Sequence, residues 1–324
     1  MSSSLQKSVK HQREKLTALL GKPMFALAQH CAERMEDRKA LELLLTENLP
    51  ELSWCKHIYV LNSDGSQITD NITREGHDPV HFGRDRSDRP YMQGIVGTTD
   101  FKLSDAYISR NKKRPSLTAI QVIRNAEGER IGFLGADYDL RELPDTEALY
   151  QEPDDWQQIK GDPAIRGGMF LQQRVESKMD AHLDEVLPLM KELVLEHGVF
   201  HGKLHFSSSR ATIWLTDDPY SYRILSFEAI TDPDICLAYP RRPYTPRAIV
   251  PKRNVMPIFE MFRTLRFADE TVYLRSGSLN VCNGMVALNF SCDGTHYMRF
   301  DEFLSKGIDF WFGGVLAPGA SCPE

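Results

Sequence analysis

The sequence predicts an α+β protein in which helices precede an antiparallel sheet, and the pattern then starts again. Three observations carry this. Apolar residues recur at helical spacing over the first 49 positions. Runs of strand-forming residues joined by short turn signals fill the stretch up to Leu140. A helical stripe followed by further strand runs begins again near Ser177, after an acidic, proline-punctuated stretch. The predicted organisation is residues 1–49 as N-terminal helices, 50–144 as a first domain, 145–176 as a linker and 177–324 as an α+β C-terminal domain.

Residues 5–20 read as a helix through Leu5, Val9, Leu16, Leu19 and Leu20, with Gly21 as its stop. Pro23 suits the first turn of a second helix, which carries Phe25, Leu27, Ala28, Cys31 and Met35 and runs to about Glu47. Such helices fit a stalk, a dimer face or a cover for the sheet. Residues 55–62 read as a strand on Ile58, Tyr59 and Val60, and Ser63-Asp64-Gly65 as a turn in which glycine is free to take positive φ. Residues 116–124 and 130–139 read as a hairpin closed by Asn125-Ala126-Glu127-Gly128.

In the second half, Ser177 suits a helix cap, and Met179, Leu183, Val186, Leu187, Met190 and Val194 form an apolar stripe that Pro188 should kink and Gly198 should end. Strand runs follow at 199–206, 211–216 and 222–230. Six prolines make 231–257 irregular. A helix opening at Pro257 runs to Phe267, and strands follow at 271–275 and 284–290. The second half shows no repeat of the first.

Of the 324 residues, 41% are hydrophobic and 26% charged, with a net charge of −6, a globular composition without the basic bias of nucleic-acid binders. No run of about 18 apolar residues offers a membrane span. Charges in MSSSLQKSVKHQREK occupy the place of a signal-peptide core, so a cytoplasmic location is expected. The six cysteines form no CxxC pair and are expected to be reduced.

Five segments carry the most specific signal: IYVLNSDGSQI at 58–68, FGRDRSDRPYM at 82–92, SDAYIS at 104–109, RPSLTAIQVIR at 114–124 and GFLGADYDL at 132–140. Together they resemble a Cache sensor domain, a relative of the PAS fold, over roughly residues 20–144. The resemblance implies a PAS-like antiparallel sheet behind long N-terminal helices. It also implies a pocket for a small carboxylate-bearing or amino-acid-like metabolite. Amino-acid-binding members carry an Arg-x-Trp-Tyr motif, matched here by Arg89-Pro90-Tyr91-Met92. Arg89 keeps the planar guanidinium that suits a carboxylate, Tyr91 stands for the Trp, and Met92 loses the Tyr hydroxyl. Tyr107 matches a family tyrosine, Ser109 stands where an acid is usual, and Arg84 stands where a tyrosine is usual. Asp137 matches the aspartate that neutralises a ligand ammonium in amino-acid sensors. The ligand-binding set implied is therefore Arg84, Arg89, Tyr91, Tyr107, Ser109 and Asp137.

Other clusters give weaker signals. His201, Lys203 and His205 would share one face of a strand, and a cation between two imidazoles disfavours a metal. His77 and His81, with Asp78 and Asp85, read as a solvated loop. Ser207, Ser208 and Ser209 lack a nucleophile-elbow pattern. The Arg241–Arg253 stretch, with Tyr239 and Tyr244, reads as an ordered, proline-punctuated surface loop or a protein-docking segment. No catalytic residue, metal or cofactor is predicted. The expectation is a non-enzymatic, homodimeric sensor that binds a small molecule and hands a conformational change to a protein partner, without nucleic acid or membrane span. The alternative is an enzyme whose active site lies in the C-terminal domain, with His205, Arg210, Asp217 and Asp293 as its first residues to test.

Overall fold

The computed structural model describes residues 4–93, 95, 100–109, 113–143, 173–292 and 294–312. Contacts divide the chain into two compact units. One comprises Met1–Pro153 with Asp232–Pro240, and the other Asp154–Thr231 with Arg241–Glu324. Most of the predicted linker, from residue 145 to 172, lies outside the described residues.

The first unit opens on one long helix, α1 (Ser4–Ala32), followed by α2 (Arg38–Asn48). The predicted break at Gly21 is absent. Leu16, Leu20, Met24, Leu27, Ala28 and Cys31 are all buried, so one apolar stripe continues past Pro23. Pro23 removes one backbone hydrogen bond, and burial on both sides of it holds the helix together. Asp37 caps α2 by accepting from the Ala40 N–H at 3.1 Å.

The sheet of this unit contains β1 (Cys55–Asn62), β2 (Asn71–Thr73), β3 (Gly76–Asp78), β4 (Phe101–Leu103), β5 (Tyr107–Ile108), β6 (Pro115–Arg124) and β7 (Arg130–Asp139). Its order is β3-β2-β1-β7-β6-β4, with β5 also paired to β6, and every pairing is antiparallel. The result is one open antiparallel sheet. The predicted β6–β7 hairpin lies at its centre, where β1 pairs with β7 rather than with its sequence neighbour alone. Central strands are buried on both faces, which explains the near-continuous apolar runs of β6 and β7. Period-two alternation sends Phe133, Gly135 and Asp137 to one face and Gly132, Leu134 and Ala136 to the other. Helices α1 and α2 pack on the sheet, and Met35 lies over Gly132 on the second face. The first face holds a cluster of Tyr59, Leu61, Tyr91, Ile95, Ile120, Val122 and Phe133.

Asp232–Pro240 belongs to this unit through α1. Arg13 donates from Nη1 to both Asp234 carboxylate oxygens, at 3.0 and 3.2 Å, and from Nη2 to the Leu103 and Ser104 carbonyls. The Ala106 N–H also donates to Asp234, at 3.1 Å.

The second unit is α+β as well. It contains α3 (Leu183–Glu196), β8 (Val199–His205), β9 (Arg210–Leu215), β10 (Asp218–Leu225), α4 (Phe227–Ile230), α5 (Lys252–Phe267), β11 (Leu274–Asn280), β12 (Met285–Phe290), β13 (Thr295–Arg299), α6 (Phe300–Ser305) and α7 (Ile308–Phe312). The antiparallel order β10-β9-β8-β11-β12-β13 makes two helix-plus-three-strand halves that meet at β8 and β11. Met190 of α3 sits over Gly202 of β8, and Phe262 of α5 sits over Gly277 of β11. Side chains at either glycine would overlap these residues. Helix α5 starts five residues before Pro257, which occupies its second turn. The run predicted at 222–230 ends as a strand at Leu225, because Ser226 caps α4 by accepting from the Ala229 N–H. Strand β11 begins and ends later than predicted, and β13 was not anticipated from a sequence segment rich in His, Tyr and Arg.

Candidate functional site

The face of the first sheet that carries Asp137 gathers its polar groups in one place. Register sets them: Thr118 of β6 lies opposite Asp137 of β7, and Tyr59 of β1 lies opposite Gly135, two residues before Asp137. Asp137 Oδ1 accepts from the Thr118 hydroxyl at 2.8 Å and from the Tyr59 hydroxyl at 3.2 Å. With the single Thr118 proton spent on Asp137, the Tyr107 hydroxyl, 2.8 Å from Thr118 Oγ1, is the donor in that pair. Tyr91 and Tyr107 flank the group with ring centroids 6.1 Å apart.

Arg86 closes the cluster. Its guanidinium lies over the Tyr59 ring, 3.9 Å from the centroid. It donates from Nη1 to the Tyr91 hydroxyl and from Nη2 to Asn71 Oδ1, both at 3.2 Å. Nη1 stands 4.0 Å from Asp137 Oδ2, an ion pair without a hydrogen bond. Arg86 Nε is buried without a hydrogen-bond partner. Burial pushes the Tyr59 and Tyr107 phenols well up from their ordinary value, and the Asp137 charge adds to it. Both therefore remain protonated donors. Burial opposes the Arg86 charge, but Tyr59, Tyr91 and Asp137 outweigh it and hold the guanidinium protonated. The cluster thus presents one fixed cation and one carboxylate, with aromatic rings on several sides.

Three of the six residues implied by the resemblance, Tyr91, Tyr107 and Asp137, meet here. The other three stand elsewhere. Arg89 pairs with its neighbour Asp88 at 3.8 Å, and its backbone N–H donates to the Arg86 carbonyl. Arg84 is exposed and contacts His81 Nδ1 at 3.2 Å. Ser109 bonds through its backbone to Arg114 at the end of β5. The guanidinium that faces Asp137 is Arg86, which sequence reasoning missed together with Tyr59, Thr118 and Asn71. Three arginines in GRDRSDR offer no sequence signal for choosing among them, whereas Tyr59 and Thr118 follow from strand alternation once the register is known.

In the second unit, His201, Lys203 and His205 do share one strand face. His201 stacks on Trp214 at 4.4 Å, and burial, helped by the Lys203 charge, lowers its pKa to about 4. His205 contacts Thr212, and Arg210 lies opposite it. Asp217 pairs with Arg242 beyond the far end of β9, away from His205. Asp293 lies outside the described residues.

No protein-family model matches the chain, and no curated protein matches it in sequence. Solved structures similar to it include an extracellular ligand binding receptor from Desulfohalobium retbaense, at 12% identity and TM-score 0.35, covering 41% of this chain and 24% of that one. The ligand-binding domain of the Campylobacter jejuni chemoreceptor Tlp3, in complex with L-valine, matches at 16% identity and TM-score 0.35, covering 42% and 57%. The ligand-binding domain of the Pseudomonas aeruginosa amino acid chemoreceptor PctB, in complex with L-Gln, matches at 18% identity and TM-score 0.32, covering 43% and 53%. The match thus spans from about a quarter to just over half of the length of these proteins.

Proposed function

We propose that the first unit is a sensor module for a small metabolite carrying a carboxylate, with an amino-acid-like ligand as the leading case. The observation that carries this reading is the Arg86–Asp137 pair. Opposite charges are held 4.0 Å apart without a hydrogen bond, among three tyrosines, and Arg86 Nε has no partner. A buried donor left unpaired is costly, and a ligand carboxylate would satisfy it. Asp137 would take a ligand ammonium, and Tyr91 and Tyr107 would wall the ligand. Arg84, Arg89 and Ser109 would contribute from the segments beside it, the two arginines as added positive charge.

Binding would shift the equilibrium between two arrangements of the unit, and a protein partner would take up the change. Helix α1 carries exposed Leu19 and Phe25, which suits a homodimer contact. No helix among the described residues is long and apolar enough to cross a membrane.

The test is a thermal-shift and calorimetry screen against L-amino acids, their amines and small mono- and dicarboxylates. A ligand that binds the folded state raises the Tm. Arg86→Lys and Asp137→Asn proteins that fold are expected to lose that shift. A screen in which no compound stabilises the wild type, or in which both variants respond as it does, rejects the reading.

A further inference from the structure

We propose that Glu42, Asp70 and His77 form a binding site for one divalent transition-metal ion of the zinc type, separate from the Arg86–Asp137 cluster. The three residues come from α2, from the segment before β2 and from β3, and their ligand atoms all lie within 4.8 Å of one another.

The hydrogen-bond network leaves one atom of each residue unused, and the three unused atoms converge. Arg38 donates from Nε to Glu42 Oε1 at 2.8 Å and from Nη2 to Asp70 Oδ1 at 2.7 Å. The Asp70 N–H also donates to Glu42 Oε1, at 2.9 Å. Glu42 Oε2 and Asp70 Oδ2 remain, and they face His77 Nδ1 at 4.0 and 3.9 Å.

Thr46, a residue outside the trio, fixes which nitrogen of His77 carries the proton. Its hydroxyl donates to the Glu42 carbonyl at 2.7 Å, so toward His77 Nε2, at 3.2 Å, the same oxygen can only accept. Nε2 is then the protonated nitrogen of the neutral ring, and Nδ1 turns a bare lone pair toward two carboxylate oxygens. Three lone pairs pointing at one another, too far apart for hydrogen bonds, describe a place for a cation.

The donor set selects the class. One imidazole nitrogen with two carboxylate oxygens suits zinc and its first-row neighbours better than calcium or magnesium, which favour all-oxygen shells. Bonds of about 2.0–2.2 Å require the trio to close slightly. The second layer is in place: Thr46 holds the imidazole and Arg38 holds both carboxylates, the kind of support that metal ligands usually have. Arg38, stacked 3.7 Å over Phe82, offsets one of the two negative charges and leaves one to attract the ion. The carboxylates are nearly buried while His77 is exposed, so an ion enters from the His77 side.

The test uses the full chain after chelator treatment, titrated with ZnCl2 and CoCl2. The expected result is one ion per chain, a raised Tm, and visible Co2+ absorption. His77→Ala is expected to weaken binding by at least about tenfold while the metal-free variant keeps the wild-type circular dichroism. A second measurement does not depend on any variant: NMR of the Co2+-loaded wild type should show hyperfine-shifted ring protons from a single imidazole. A wild type that takes up no ion overturns the proposal. So does a His77→Ala protein that binds like the wild type, or a loaded wild type with shifted signals from no histidine or from two.

Discussion

Tyr59 lies opposite Gly135 across β1 and β7, and its ring occupies the space that a side chain at position 135 would fill. The backbone at Gly135 is ordinary strand, so the glycine is there for room and not for conformational freedom. Its absent side chain lets the phenol lie along the sheet with its hydroxyl on Asp137. Gly135→Ala is therefore expected to destabilise the protein by about 1–3 kcal/mol, as overpacking does, and to weaken any ligand that depends on Asp137. Urea unfolding of the two proteins checks the first effect, and calorimetry the second.

Arg86 and Arg89 are three residues apart and should behave differently. Arg86 is buried over Tyr59 with bonds to Tyr91 and Asn71, and its loss leaves Asp137 without a nearby cation. Arg86→Ala is expected to cost about 3 kcal/mol of stability. Among the described residues Arg89, itself half-buried, pairs with the exposed Asp88 at 3.8 Å without a hydrogen bond, so Arg89→Ala should cost less than Arg86→Ala, about 1 kcal/mol. Equal losses in chemical denaturation would contradict the assignment of the buried guanidinium.

The same contrast explains what the sequence could and could not tell. Strand propensity and turn chemistry were enough for β1 and for the β6–β7 hairpin. Alternation then places Asp137 on the face of Tyr59. Burial of one arginine among three is a tertiary matter. The Arg86 N–H bonds to the Gly65 carbonyl, so a turn twenty-one residues away decides which guanidinium goes inward. Likewise Pro23 and Gly21 read locally as a helix break, while the buried stripe that overrides them exists only when the sheet is present. His77 reads as part of a solvated loop with His81, yet antiparallel β2–β3 pairing and α2 bring it to Asp70 and Glu42.

Asp234 gives the first unit a pH dependence. Burial raises its pKa to about 6, Arg13 pulls against that rise, and Asp232 adds to it. The folded value stands above the ordinary carboxyl value of 3.8, so between them the folded state holds the extra proton. Stability from this group is then fully present below about pH 4 and is lost as pH rises through about 6, by roughly 3 kcal/mol in all. Asp234→Asn keeps an oxygen for Arg13 and for the Ala106 N–H. The variant should gain on the wild type as pH rises from 4 to 7, and a difference that stays constant over that range would reject the shift.

His201 should respond in the opposite direction. Burial is the main cause that lowers its pKa to about 4, with Lys203 adding like-charge repulsion. The unfolded ring, at its ordinary value of 6.5, binds its proton first as pH falls. Stability from the neutral ring is present above about pH 6.5 and is lost as pH falls toward 4, again by roughly 3 kcal/mol. The groups that face the ring fit this sign: Lys203 beside it is a cation, and Trp214 stacks on it at 4.4 Å. His201→Gln removes the titrating group, so the variant should gain on the wild type on acidification, where Asp234→Asn loses ground. Trp214 reports the same event locally, because a charged imidazole stacked on an indole quenches it. The wild type should lose fluorescence with a midpoint near pH 4, and the His201→Gln protein should not. An identical acid quench in both proteins would place the titrating group elsewhere.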